Sequence, residues 1–305
     1  MRRLFFFLAL FALLLAGQGL LYYRGIYTAP PTAAHDVTGI DIPRASPTPF
    51  TDRYEVRSGT VLLDMAHENA YTPTELGSLL ARITARGYGL EYLEEKEELG
   101  KKLRYADALV IIAPKKPFGP EEMALIRQFV EKGGRVLLIA DPTRESDMRG
   151  ISTTLGVIFE NDYLYNLKEN DGNFRNIYIK DFRESAITRG LGKVALYTAS
   201  SVTSDGGIAF TDENTFSSVL EGRRGLSPMA LTVDSRVLAL GDLTFLTEPY
   251  DTVADNPWLI SNIADFLTTA ERRHRLPDFP YYFQKEADIV TPDASLVKAG
   301  IKLRA

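Results

Sequence analysis

The stretch "ADALVIIAPKKPFGPEEMALIRQFVEKGGRVLLIAD", residues 106–141, decides the fold. It opens on a five-residue apolar run, Ala108–Ile112, and closes on a second, Val136–Ala140. Short continuous apolar runs rich in Val, Ile and Leu are the pattern of strands buried on both faces. Between them Pro120 takes the place where a first helical turn accepts proline, and Glu121 and Glu122 suit the positive start of a helix. Gly133 and Gly134 end that helix. Strand, helix and strand in one direction make a crossover unit, which predicts a parallel sheet with helices on its faces.

Working outward, the pattern repeats. Upstream, "TVLLD" (60–64) reads as another buried strand. Thr72 then reads as an N-cap, with Pro73 at the first helical position and Glu75 completing a capping box. Leu76, Leu79, Leu80 and Ile83 share one helical face, and Gly87 terminates the helix. "YGLEYL" predicts a second strand and "EEKEELGKKLRYA" a polar helix or turn. Downstream, residues 157–235 are less regular: "NFRNIYIKDF" and "PMALTVDS" read as strands, "SDGG" and "EGRRG" as turns. They are expected to be insertions and extra strands and not a second domain, because α/β order returns with "RVLALGDLTFL". Asn256 reads as the cap of a last helix with Pro257 at its first position and Leu259, Ile263, Phe266 and Leu267 on its face. The expected fold is α/β, doubly wound and mostly parallel, spanning residues 58–270.

The N-terminus differs in kind. "MRRLFFFLALFALLLAGQGLLYYRG" sets two arginines before an uncharged stretch from Leu4 to Tyr23, long enough to span a hydrocarbon core. Arg2 and Arg3 bias that end to the cytoplasmic side, and Tyr22 and Tyr23 suit an interfacial belt. A cleaved signal peptide fits as well, because Leu4–Leu15 suits its apolar core. A core helix suits neither the arginine flank nor the terminal position. The preferred reading is a single-pass membrane anchor, residues 1–24, with the bulk of the chain outside the cytoplasm; the alternative is secretion after cleavage. Residues 25–57 contain the five prolines of a semi-extended spacer, and His35 lies in it. Residues 271–305 form an aromatic and basic tail.

Composition excludes several chemistries. The chain has 305 residues, 45% hydrophobic and 25% charged, with a net charge of −5. No global basic field points to nucleic acid. There is no cysteine, which removes disulfides, thiolate metal sites and cysteine nucleophiles. No G-x-S-x-G elbow and no phosphate-cradling glycine loop occurs. Neither a cofactor nor a catalytic residue is assigned.

Polar side chains collect at predicted strand ends. Asp64, Asp141 and Asp242 each close an apolar run, and in open α/β sheets the carboxyl edge is where ligands bind. His67, Glu68 and Asn69 follow Asp64 within one loop. Together these six residues are the ligand-binding candidates, with Asp64, His67 and Asn69 expected to sit together at that edge near Asp242. An aspartate at a strand end equally serves to tie down the next loop. The spacing matches no established metal motif, so no metal site is assigned. Lys115 and Lys116 have the chemistry to meet an anion, though a solvated loop explains them as well.

"LLDMAHEN" (62–69), "EKGGRVLLIADP" (131–142), "GDLTFLTEPYDTVADNPWLISNIADFLT" (241–268) and "LPDFPYYF" (276–283) together resemble an uncharacterised bacterial and archaeal domain family. Its fold is glutamine amidotransferase-like, and it is allied to the auxiliary subunit of the gliding-motility ABC transporter and to the intraflagellar-transport GIFT domain. The resemblance covers roughly residues 58–285. It implies a flavodoxin-like sheet, often membrane-tethered, with no established reaction. Class I amidotransferases carry a cysteine at the sharp turn after a central strand; the matching stretch here is Ala113–Lys116, so the resemblance implies the fold without its catalyst. Two functions follow. The first is a membrane-tethered, non-catalytic binding or assembly module with a membrane-complex or transporter partner, its ligand unspecified. The alternative is an envelope hydrolase acting on a polar or carbohydrate substrate, with Asp64 and His67 as acid/base groups and Asp141 or Asp242 orienting them.

Overall fold

The computed structural model describes residues 2–23 and 49–272. The chain divides into two compact units, Met1–Arg44 and Ala45–Ala305. In the first, the expected apolar helix is present as α1, Arg2–Tyr23, 22 residues or about 33 Å long. It is long and apolar enough to cross a membrane, and none of it is buried. His35 and the tail beyond Arg272 lie outside the described residues.

The second unit opens with β1 (Gly59–Asp64), α2 (Gly77–Ala85), β2 (Tyr88–Leu93), α3 (Leu99–Lys102) and β3 (Ala108–Ile112). The deciding stretch then supplies α4 (Pro120–Glu131) and β4 (Arg135–Ile139), followed by α5 (Arg149–Thr154). The middle of the chain forms short strands: β5 (Ile158–Phe159), β6 (Leu164–Asn166), β7 (Asn176–Ile179), β8 (Asp181–Phe182), β9 (Val194–Tyr197), β10 (Val202–Thr203), β11 (Gly207–Phe210) and β12 (Thr215–Ser217). β13 (Met229–Thr232), β14 (Val237–Leu240) and α6 (Asn256–Thr268) close it. The main sheet runs β2-β1-β3-β4-β14-β13-β11-β8. Its first five strands are parallel, in the flavodoxin-like order expected, and the last three extend it antiparallel. The six other short strands pair off as ribbons, β10 with β5, β12 with β6 and β7 with β9.

The buried strands explain why the apolar runs carry no polar alternation. Successive side chains point to opposite faces. Val110 and Ile112, with Leu137 and Ile139, pack on one side with α2 and α6; Leu109, Ile111, Val136 and Leu138 pack on the other with α3, α4 and α5. A polar residue at any of these positions would be stranded in one core or the other, at about 1–3 kcal/mol.

Two local expectations change. Only half of the expected capping box forms: the Thr72 N–H donates to Glu75 Oε2 at 2.7 Å, but the Glu75 N–H goes to the Thr72 carbonyl at 3.0 Å, the first turn is tighter than an α-helix and α2 proper starts at Gly77. Asn256 does not cap α6. Its side chain is taken by β9, accepting from the Ala195 N–H and donating to the Ala195 carbonyl, both at 3.0 Å, so Asn256 becomes the first helical residue.

Residues 49–57, placed in the spacer by composition, lie against the body. Asp52 accepts two bonds of 3.1 Å from the Arg86 guanidinium, which also donates to Asp265 at 2.6 Å and to Ser261 at 2.9 Å. Arg86 is only 1% exposed, so this buried cation depends on its two carboxylates. Phe50 adds an edge-to-face contact with Trp258 at 4.9 Å.

Candidate functional site

β1, β4 and β14 are parallel neighbours or near neighbours, so Asp64, Asp141 and Asp242 all stand at the carboxyl edge of the sheet. All three are buried. They form two groups and not one. β3 and β4 separate β1 from β14, three strand spacings or about 14 Å.

The first group is built on β1. His67 Nδ1 lies 3.0 Å from both Asp64 carboxylate oxygens, and Nε2 lies 3.1 Å from Glu122 Oε1. Asn69 donates to Asp64 Oδ2 at 2.7 Å and accepts from the Ile112 N–H at 2.9 Å, so one amide ties the loop to both β1 and β3. The His67 ring stacks on Phe118, centroids 3.7 Å apart, and is 2% exposed. Its carbonyl accepts the N–H groups of Lys115 and Lys116, each at 3.0 Å. Burial works against charge on the imidazole, but the hydrogen bond to Asp64 and the charges of Asp64 and Glu122 outweigh it and raise the pKa above its ordinary value. With a carboxylate facing each nitrogen, the ring when protonated donates from both. It therefore clamps the β1 loop to the first turn of α4 and has no lone pair free to accept a substrate proton. Tyr71 closes the base, its hydroxyl donating to the Asp64 carbonyl at 3.3 Å. Glu68 stands apart, exposed, with a left-handed φ of 52° and a surface ion pair to Lys116 at 2.7 Å.

The exit of β3 beside this group is unusual. Ala113 is fully buried and has φ of 41°, a conformation costing a non-glycine residue about 1–3 kcal/mol. Two bonds hold it there: its N–H donates to the Ile139 carbonyl at 2.8 Å, and its carbonyl accepts from the Ala70 N–H at 2.9 Å. A sharp, strained strand-to-helix turn is present, and a methyl group stands on it.

The second group joins β4 and β14. Asp141 accepts from the Thr143 N–H at 2.8 Å and the Leu243 N–H at 3.2 Å; Asp242 accepts from the Tyr197 and Thr244 N–H groups at 2.7 and 2.8 Å. Complete burial and the charge of Asp141 push the Asp242 carboxyl well above the ordinary range, against the pull of those backbone donors. Arg144 connects the two groups, donating to the Ala70 carbonyl and to Glu75, each at 2.5 Å. A cavity of about 710 Å³ opens here, lined by Asp141, Arg144, Asp162 and Ser200 among others, and by neither Asp64, His67 nor Asp242. Among the described residues no group of three or more His, Asp and Glu side chains is arranged to hold a metal ion.

Glu122, Phe118 and Arg144 were not among the candidates from sequence. Glu122 was legible only as a helix-start charge, and it does serve there, accepting the Gly119 N–H at 2.7 Å. Its second oxygen, which reaches His67 across 55 residues, has no local sequence signal.

Residues 62–167 match the family model described as an ABC-type uncharacterized transport system. The resemblance drawn from sequence is thus shown on the stretch that holds the first group, the strained turn and Asp141. No curated protein matches. Among solved structures, the N-terminal domain of mmIFT52 superposes with a TM-score of 0.59 at 14% identity, covering 70% of this chain and 100% of that one. Putative ThuA-like proteins from Bacteroides uniformis and Parabacteroides merdae align at 10% and 11% identity, with TM-scores of 0.44 and 0.42, covering 77% and 72% of this chain and 99% and 93% of theirs. At such identities the likeness is one of fold. The chain shares the α/β fold of the mmIFT52 domain and, over residues 62–167, is similar to an uncharacterized ABC-type transport family.

Proposed function

We propose that the chain is a membrane-tethered, non-catalytic binding or assembly module, accessory to a transport complex, with its α/β domain outside the cytoplasm. The observation that carries the reading is Ala113. The resemblance sets the amidotransferase cysteine turn at Ala113–Lys116, and the residue that opens that stretch, at φ 41°, offers only a buried methyl group. The neighbouring polar residues supply no substitute, since both nitrogens of His67 are engaged with carboxylates and its ring is sealed under Phe118. That geometry supports the binding reading over the hydrolase reading through Asp64 and His67. Tethering rests on α1, which has the length and composition of a membrane span, and sidedness on Arg2 and Arg3. Carbonate extraction, with protease treatment of spheroplasts and of intact inverted vesicles, tests it. The full-length chain should stay with the membrane and be cleaved only in spheroplasts. Recovery in the soluble cytoplasmic fraction would overturn the proposal.

A further inference from the structure

A second cavity, of about 580 Å³, lies at the opposite edge of the sheet, where β4 begins and α6 ends. Its volume is within the ordinary range for small-molecule sites. Four arginines line it, Arg53, Arg57, Arg135 and Arg189, against two carboxylates, Glu55 and Asp265. Both carboxylates are already committed: Glu55 pairs with Arg57 at 3.0 Å, and Asp265 accepts from the buried Arg86 at 2.6 Å. Arg53 and Arg189 have no acceptor among the described residues. The carboxyl end of α6 contributes roughly half a negative charge, which offsets less than one guanidinium.

The other side-chain donors in the wall are spent, the Tyr54 hydroxyl excepted. Thr268 and Thr269 donate to carbonyls of their own helix, and the Asn262 amide donates to the Ile187 carbonyl at 2.8 Å. Recognition by this cavity therefore falls to guanidinium groups with the Tyr54 hydroxyl beside them. Arg135 is stacked on Phe266 with its charge centre 4.9 Å from the ring and donates from Nη1 to the Ser235 carbonyl at 2.6 Å, which fixes the plane and leaves its other N–H groups to donate. Burial and the charge of Arg236 hold the Arg135 pKa below its ordinary value, against the pull of Glu271.

We propose that this arginine-lined cavity binds a phosphate-bearing anion. A phosphate group carries enough charge and enough oxygens to accept from several guanidinium groups at once, the pairing for which arginine is best suited. The chemistry is common to a free phosphate compound and to a lipid headgroup. Residues 53–57, which form part of the rim, follow the spacer and α1 in the chain, so the proposed tether makes a headgroup one of the two sources to test.

Calorimetric titration of the full-length protein in dodecyl maltoside micelles tests this with two probes: pyrophosphate, and short-chain phosphatidylglycerol with phosphatidylcholine as its neutral control. Saturable binding of pyrophosphate would identify a soluble ligand, and binding of phosphatidylglycerol alone a headgroup. In either case the double variant R53Q/R189Q should bind at least about tenfold more weakly, and rising salt should weaken binding further. The melting temperature should not change, because neither side chain has an intramolecular acceptor to lose. R189E, at an exposed position, provides a second variant, and emission of Trp258, the sole tryptophan, confirms that each is folded. The site is refuted if neither probe gives saturable heat, or if binding survives both variants unchanged.

Discussion

His67→Ala separates a clamp from a ligand-facing residue. The substitution removes a ring that is 2% exposed, its stack on Phe118 and its contacts to two carboxylates. Breaking a buried ion pair by deleting one partner costs about 3–5 kcal/mol. The low end applies, because Asp64 keeps the Asn69 amide at 2.7 Å and Glu122 keeps the Gly119 N–H. A loss of about 3 kcal/mol in a domain of this size lowers the melting temperature by roughly 6–12 °C. Urea unfolding of the full-length chain in non-ionic detergent, followed by Trp258 emission, measures it directly. A loss below about 0.5 kcal/mol, the range of an ordinary surface substitution, would refute the clamp and return His67 to the ligand candidates.

Three further outcomes follow from the same geometry. Because the folded-state pKa of His67 is raised, the stability it adds is fully present below its unfolded value of about 6.5 and is lost as pH rises through the folded value; the stability difference between wild type and H67Q, measured against pH, should shrink in that direction. Arg86→Met strands Asp52 and Asp265 and should cost about 3–5 kcal/mol, while the milder Asp52→Asn should speed hydrogen exchange in residues 49–58 and leave β3 and β4 protected. Gly241→Ala sets a Cβ against the Ser200 backbone carbonyl and should destabilise by about 1–3 kcal/mol in thermal unfolding.

The parts of the fold legible in sequence were those set by local pattern. Ala108–Ile112 and Val136–Ala140 needed only their unbroken apolar composition, and Gly87 and Gly133, with φ of 86° and 95°, end their helices where only glycine is at ease. The rest depends on partners distant in sequence. Strands of two to four residues between 158 and 217 carry too little periodicity to reveal their pairing, and Asp52 reads as spacer until Arg86, 34 residues on, is seen to need it. At the site, the strand-end aspartates were visible, but their division into two groups follows from sheet order: β14 joins β4, not β1. Glu122 shows the same limit, since a helix-start carboxylate and a histidine partner are one residue with two oxygens.

Co-purification in mild detergent from native membranes tests the central claim most directly. The full-length chain should be recovered in fixed stoichiometry with a polytopic membrane subunit of a transporter, and a chain lacking residues 2–23 should lose most of that recovery. A full-length chain that leaves the membrane alone, in a form that turns over a polar envelope substrate and loses turnover on Asp64→Asn, would contradict it.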